Sequence, residues 1–310
     1  MYRRALEGKE KALGRNHTST LSTINNLALI YRDQGKLDEA EEMYQQALEG
    51  YKKALGRNHT STLSTVDNLG ALYADQGKLV KAEEMFWRAL EGKEKAFGRN
   101  HTSTLSSVNN LGALYWKQSK LGKAERMYRQ ALEGKEKALG RDHTSTLGTV
   151  NNLGALYADQ GKLVEAEEMY QRALEGYKKA FGCDHTSTLS AVNNLGALYA
   201  DQGKLVEAEE MYRRALEGKE KAFGRNHTST LSSVNNLGAL YWKQGKLGRA
   251  EEMYRRALDG YEESFGYESE HCHDIRHNLH ALKVISRLKH TMFYFMLFLV
   301  LLFVKLVLLR

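Results

Sequence analysis

The string His-Thr-Ser-Thr-Leu begins at His17, His59, His101, His143, His185 and His227, always 42 residues apart. Around it recur Asn-Leu-Gly-Ala-Leu-Tyr and Gly-Lys-Leu-x-x-Ala-Glu. A fixed period of about 20–50 residues marks a stacked array of small units, each unable to bury its own apolar face. A 42-residue unit has room for two helices and two short turns.

The unit from Thr186 to Gly224 shows how each helix arises. Leu189, Val192, Leu195 and Tyr199 lie three, three and four apart, which is one face of a helix. Asp201-Gln202-Gly203-Lys204 breaks the pattern, with Gly203 supplying the bend. A second stripe runs through Leu205, Ala208, Tyr212, Ala215 and Leu216 to Phe223. Its other face sets Glu209 before Arg213 and Glu210 before Arg214, the favourable order for pairs four apart. Gly224 ends the helix, and Thr186 or Thr228 is the expected cap of the next. Gly218 inside the second helix costs about 1 kcal/mol relative to alanine, so packing between helices must compensate. The chain has no proline, which leaves glycine to stop its helices. Gly196, Ala208 and Ala215 are small enough for close helix approach, and Tyr199 and Tyr212 fill the remaining space.

These residues resemble the tetratricopeptide repeat, whose signature sets Leu-Gly, Tyr, Ala, an aromatic residue and Ala at fixed intervals. Leu69, Gly70, Tyr73, Ala82, Phe86 and Ala89 occupy those places, while Glu94 stands where the closing proline is usual. The repeat length, the longer second helix and the Asn-Asn-Leu core are similar to the kinesin-light-chain subclass. The resemblance implies an all-α, right-handed superhelical solenoid of antiparallel helix pairs. Four segments are expected. Residues 1–14 form a partial repeat with only its second helix, and 15–266 form six repeats. Residues 267–289 form a degenerate half repeat with a basic linker, and 290–310 a hydrophobic tail. Beginning inside a repeat suggests a fragment, and a charged start at Met1-Tyr2-Arg3-Arg4 gives no signal peptide.

In this family the first helices line the concave face where ligands lie. Helical geometry then selects Asn25, Asp67, Asn109, Asn151, Asn193 and Asn235, with His277 in the last helix. An amide both donates and accepts, so a ladder of amides can bond an extended peptide backbone. The alternative is that these amides bond neighbouring helices and solvent. Seven residues further on, Arg32, Trp116 and Trp242 interrupt a series of alanines, and Lys117 and Lys243 interrupt a series of aspartates. Trp116 and Trp242 suit aromatic anchors for a partner, although duplication of a three-repeat block accounts for the same pattern.

The net charge of +7 concentrates in the tail, since residues 271–310 carry six basic side chains against one acid. The body is nearly neutral, which argues against a nucleic-acid-binding array. Cys183 and Cys272 give no disulfide framework and fit a reducing compartment, where the sequons at Asn16, Asn58, Asn100 and Asn226 are inert. The six repeated histidines are about a helix diameter apart and cannot share a metal ion. His273, His277 and His280 share a helix face beside His271 and Cys272, but no second ligand group accompanies them. Gly238 to Lys246 has the wrong spacing for a phosphate loop. Catalysis needs one asymmetric, converging set of groups, and here polar residues recur in equivalent copies. No enzyme, cofactor, metal or small-molecule substrate is expected.

Residues 292–309 are apolar apart from Lys305, about 27 Å as a helix, and Arg287 and Lys289 precede them. This reads as a membrane anchor with the array in the cytoplasm; a capping helix or a misannotated terminal exon would look similar. The expected function is a scaffold that binds a peptide or partner protein, tethered to a membrane. The alternative is the sensor array of a larger signalling NTPase of which this chain is a piece. A motor cargo adaptor would require a heptad coiled coil before the array, and none is present in these residues.

Overall fold

The computed structural model describes residues 2–267, 269 and 272–285, with the single positions 288, 292, 296 and 299. Among them there are helices and turns and no strand. The chain divides into two compact units, residues 1–180 and 181–310.

The first unit opens with α1 (Tyr2–Leu13), a lone second-type helix. Then come the pairs α2 (Thr18–Asp33) and α3 (Leu37–Leu55), α4 (Thr60–Asp75) and α5 (Leu79–Phe97), and α6 (Thr102–Lys117) and α7 (Leu121–Leu139). The helices α8 (Thr144–Asp159) and α9 (Leu163–Phe181) follow, with α9 reaching the boundary between the units. The second unit holds α10 (Thr186–Asp201) with α11 (Leu205–Phe223) and α12 (Thr228–Lys243) with α13 (Leu247–Phe265). Residues 272–285 are again helical, where the half repeat was expected. The first helices α2, α4, α6, α10 and α12 each pack on their own second helix, and α2, α4, α6, α8 and α12 on the second helix before them. Successive first helices also touch, as in α2 with α4, α4 with α6, and α10 with α12.

Both apolar stripes face inward. Leu189, Val192, Leu195, Ala208, Tyr212 and Ala215 are buried, and Tyr199, Leu205 and Leu216 pack partly buried against them. The six signature residues from Leu69 to Ala89 are buried too. A Cβ at Gly218 would sit 2.5 Å from Leu189 Cδ2, so the neighbouring helix occupies the space that glycine leaves. In the last helix Cys272, Ile275, Leu279 and Leu282 close the core of the second unit.

The helix starts differ from the expected threonine caps. His17, His59, His101, His143, His185 and His227 are the N-caps, each with extended backbone and ring Nδ1 accepting from the amide two residues on. Two residues into the helix, a buried threonine hydroxyl donates back to the glycine carbonyl ending the previous helix, as Thr104 does to Gly98 at 2.9 Å. The repeated His-Thr-Ser-Thr is therefore a corner clamp between successive repeats. At the other turn Gly203 has φ +76, and Ser119 takes the same bend at φ 58 without glycine's freedom.

The expected anchor at 292–309 lies outside the described residues except for Met292, Met296 and Leu299, which are exposed. No helix among the described residues is long and apolar enough to cross a membrane. His271 also lies outside them, while His273, His277 and His280 are exposed. No cluster of three potential metal ligands occurs among the described residues.

Candidate functional site

The amides selected from the sequence sit at the seams between successive first helices. Asn25 Oδ1 accepts from Asn68 Nδ2 at 3.3 Å, and Asn109 Oδ1 accepts from Asn152 Nδ2 at 3.4 Å. Asn193 is buried and accepts from Ser233 Oγ at 3.0 Å and Asn236 Nδ2 at 3.4 Å. Asn151 is half-buried, as is Asn235, whose Oδ1 is enclosed without a partner among the described residues. The ladder thus runs from the first asparagine of one repeat to the second asparagine of the next, which is the neighbouring-helix alternative weighed above.

Asp67 breaks the ladder. It is buried, ion-paired with the buried ammonium of Lys93 on α5, and accepts from Ser107 Oγ on α6 at 2.7 Å. Burial pushes the Asp67 carboxyl above its usual range, while Lys93 and Ser107 pull it back. Both bonds go to Oδ2, and Asp67 Oδ1 is enclosed without a partner among the described residues; the second asparagine of the next repeat, Asn110, makes no side-chain hydrogen bond among them either.

Asn110 instead lines a small cleft between α4 and α6 of about 170 Å³. Ala71, Ala74, Phe86, Ala113 and Leu114 make its apolar walls, and Asp75 and Lys117 stand at its edge. Dry cavities of ~150 Å³ hold a benzene-sized group, so this one suits a single aliphatic side chain. Asp75 is the centre of a short charge ladder, with Arg32 Nε at 3.0 Å and Lys117 Nζ at 3.9 Å. In the second unit Lys243 Nζ reaches Asp201 at 3.0 Å in the corresponding way.

Neither tryptophan stands free. Trp116 Nε1 donates to Asp159 at 2.6 Å, and Trp242 is partly buried with its ring edge-on to Tyr254, centroids 6.4 Å apart. The structure therefore brings Arg32 and Lys117 together on Asp75, while Trp116, Trp242 and Lys243 each bind within their own neighbourhoods. Sequence reasoning chose the first asparagine of each pair and missed Asn110 with its alanine walls. The available signal was Asp67, the lone aspartate in a series of asparagines.

The repeats are also clasped through carboxylates on the second helices. Glu41 accepts from Tyr73 Oη, Gln76 Nε2 and Lys78 Nζ of the next repeat at 3.1, 3.0 and 3.3 Å. Burial opposes ionisation of Glu41, but the hydrogen bonds from Gln76, Lys78 and Tyr73 outweigh it and hold the carboxyl below its usual value. Glu209 adds bonds to Gln244 and Lys246, both at 3.0 Å, to its expected pair with Arg213 at 2.7 Å.

Tetratricopeptide-repeat family models match residues 61–137, 145–221 and 188–263, and a further one matches 20–61. No curated protein matches the chain. Among solved structures, BtubC (BKLC) from P. vanneervenii is similar with a TM-score of 0.57 at 22% identity, covering 77% of this chain and 93% of its own. A Podosopora anserina kinesin-light-chain structure with nearly identical TPR-like repeats gives 0.52 at 25% identity, over 66% and 97% of the two chains. The apo form of RapI gives 0.61 at 17% identity, over 84% and 88%, a likeness of fold. Matched by these models over most of its length, the chain belongs to the tetratricopeptide repeat family and is of kinesin-light-chain-like type.

Proposed function

We propose that the chain is a non-catalytic scaffold that holds an extended segment of a partner protein along its first helices. Tetratricopeptide repeats generally mediate protein–protein interaction, and that general role supports the reading. The observation that carries it is the cleft between α4 and α6, where Asn110 stands beside apolar walls. A peptide laid there can put one aliphatic side chain among Ala71, Phe86 and Ala113 and bond its backbone to the Asn110 amide. Asp75 and Lys117 at the edge present both signs of charge to the flanking peptide residues. The preferred ligand is thus a peptide with an aliphatic anchor, in place of nucleic acid or a small metabolite.

Selection of random decapeptides on the full chain tests this. The selected sequences are expected to share one aliphatic position and to lose binding to an Ala113→Trp variant. Ala113 is exposed, so the indole fills the cleft without entering the core. Undiminished binding to that variant, at an unchanged melting temperature, would refute the assignment.

A membrane tether through 292–309 rests on the sequence pattern alone. Carbonate extraction of the full chain, beside a chain ending at Lys289, tests it separately. Resistance lost on truncation supports the tether, and extraction of both rules it out.

A further inference from the structure

Several second helices share one charge arrangement. A glutamate near the helix end pairs with the arginine five residues on, in the following loop. Glu10 with Arg15, Glu94 with Arg99 and Glu136 with Arg141 lie 3.5, 3.7 and 3.9 Å apart. The same glutamate takes an arginine from the next second helix, as Glu136 takes Arg172 at 2.6 Å and Glu220 takes Arg256. In α9 this position is Lys178, where Cys183 stands in place of the loop arginine, and in α3 it is Lys52. One substitution therefore removes the partner of both Arg57 in the loop and Arg88 on α5, and neither makes an ion pair among the described residues.

Lys52, Arg57, Arg88 and Lys95 line one open cleft of about 420 Å³, with the Asn58 amide beside them. Lys52 leans on Glu49 of its own helix and Lys95 on Glu91 at 2.6 Å, so two carboxylates face four cations. Glu49 registers this field: its carboxyl is held below the usual value by its Lys52 hydrogen bond first, and by the charges of Lys52, Lys53 and Arg57. The corresponding cleft of the second unit is balanced. Arg225, Arg255 and Arg256 there meet Glu252, Asp259 and Glu263, and Arg255 and Arg256 are tied to Glu251 and Glu220.

We propose that the cleft between α3 and α5 binds a small phosphate-class anion, with the Arg57 and Arg88 guanidiniums as its principal ligands and Lys52 and Lys95 at its rim. Guanidiniums present planar, paired donors that match phosphate oxygens, and neither is ion-paired to a carboxylate among the described residues. The site shares no residue with the α4–α6 cleft, so either can stand without the other.

Pyrophosphate titrated calorimetrically into the full chain at low ionic strength is the test. One saturable site is expected. Lys52→Glu recreates the glutamate found at this position in α1, α5, α7, α11 and α13, so it should fold with an equal or higher melting temperature while weakening binding about tenfold or more. Arg88→Gln should weaken it comparably, and Arg255→Gln in the balanced cleft should leave it unchanged. Absence of a saturable site, or affinity indifferent to Lys52→Glu and Arg88→Gln, would overturn the proposal.

Discussion

Lys93 in the first unit and Lys219 in the second occupy the same repeat position and are 3% and 4% exposed. Each ammonium reaches the next first helix in the same way. Lys93 meets Ser103 O at 3.3 Å and Ser107 Oγ at 3.0 Å, and Lys219 meets Ser229 O at 3.2 Å and Ser233 Oγ at 3.0 Å. The difference lies in the preceding first helix, where Asp67 pairs with Lys93 and the corresponding residue is Asn193. Without a carboxylate, burial pushes Lys219 down to about 8, and it does the same to Lys135, held only by Ser145 O and Thr149 Oγ1. A single carboxylate in place of an amide thus decides whether a buried cation is matched. The seam differs as well: Asn193 accepts from Asn236, whereas Asp67 bonds Lys93 and Ser107 through Oδ2 and takes nothing from Asn110. In a nearly self-identical array, one core substitution accompanies a difference at the surface seam.

The largest expected effect breaks the matched site. Lys93→Met leaves Asp67 buried without its cation and should cost about 3–5 kcal/mol by urea denaturation. Lys219→Met removes an unmatched charge and should be neutral or stabilising. Equal losses in the two variants would dissolve the distinction between the sites.

Titration sharpens the comparison. A lysine at about 8 in the fold and ~10.4 unfolded is charged in both states below pH 8, where folding bears the full burial penalty. As pH rises the folded state sheds its proton first, so stability increases from about pH 8 towards 10.5, by roughly 3 kcal/mol for each of Lys135 and Lys219. Tyr44 and Tyr254, pushed up to about 12 by burial, act in the opposite sense above about pH 10. The window from about pH 8 to 9.5 therefore reads the lysines. Lys135→Met and Lys219→Met together should flatten it, and Asp67→Asn should steepen it by turning Lys93 into a third unmatched lysine. A slope unaltered by these changes would contradict the assignment.

A smaller contrast separates helix glycines. Gly218→Ala drives a methyl into Leu189 and should cost about 1–3 kcal/mol, while Gly122→Ala meets open space and should gain up to about 1 kcal/mol. Thermal melts of the two variants should move in opposite directions.

The fold was legible because period and stripe are local: Leu189, Val192 and Leu195 announce their face within one turn and a half. The corner was only half legible. A histidine ring capping a helix looks like a metal ligand in sequence, and Thr186 beside it has the more familiar capping chemistry. Lys93 could not be read as buried, because Gly-Lys-Glu-Lys has the composition of a solvated turn of helix. Its partner Asp67 lies 26 residues away, so only the stacked helices bring them together. The seam was legible only to within one residue. Helical geometry places both members of an asparagine pair near the seam, and which of them the neighbouring helix takes depends on a partner 43 residues off.

A structure of the chain bound to a selected decapeptide tests the central claim most directly. In that complex an aliphatic side chain is expected to be enclosed by Ala71, Phe86 and Ala113, with the peptide backbone bonded to the Asn110 amide. A peptide seated on the second helices, or on the first helices with the α4–α6 cleft empty, would contradict it.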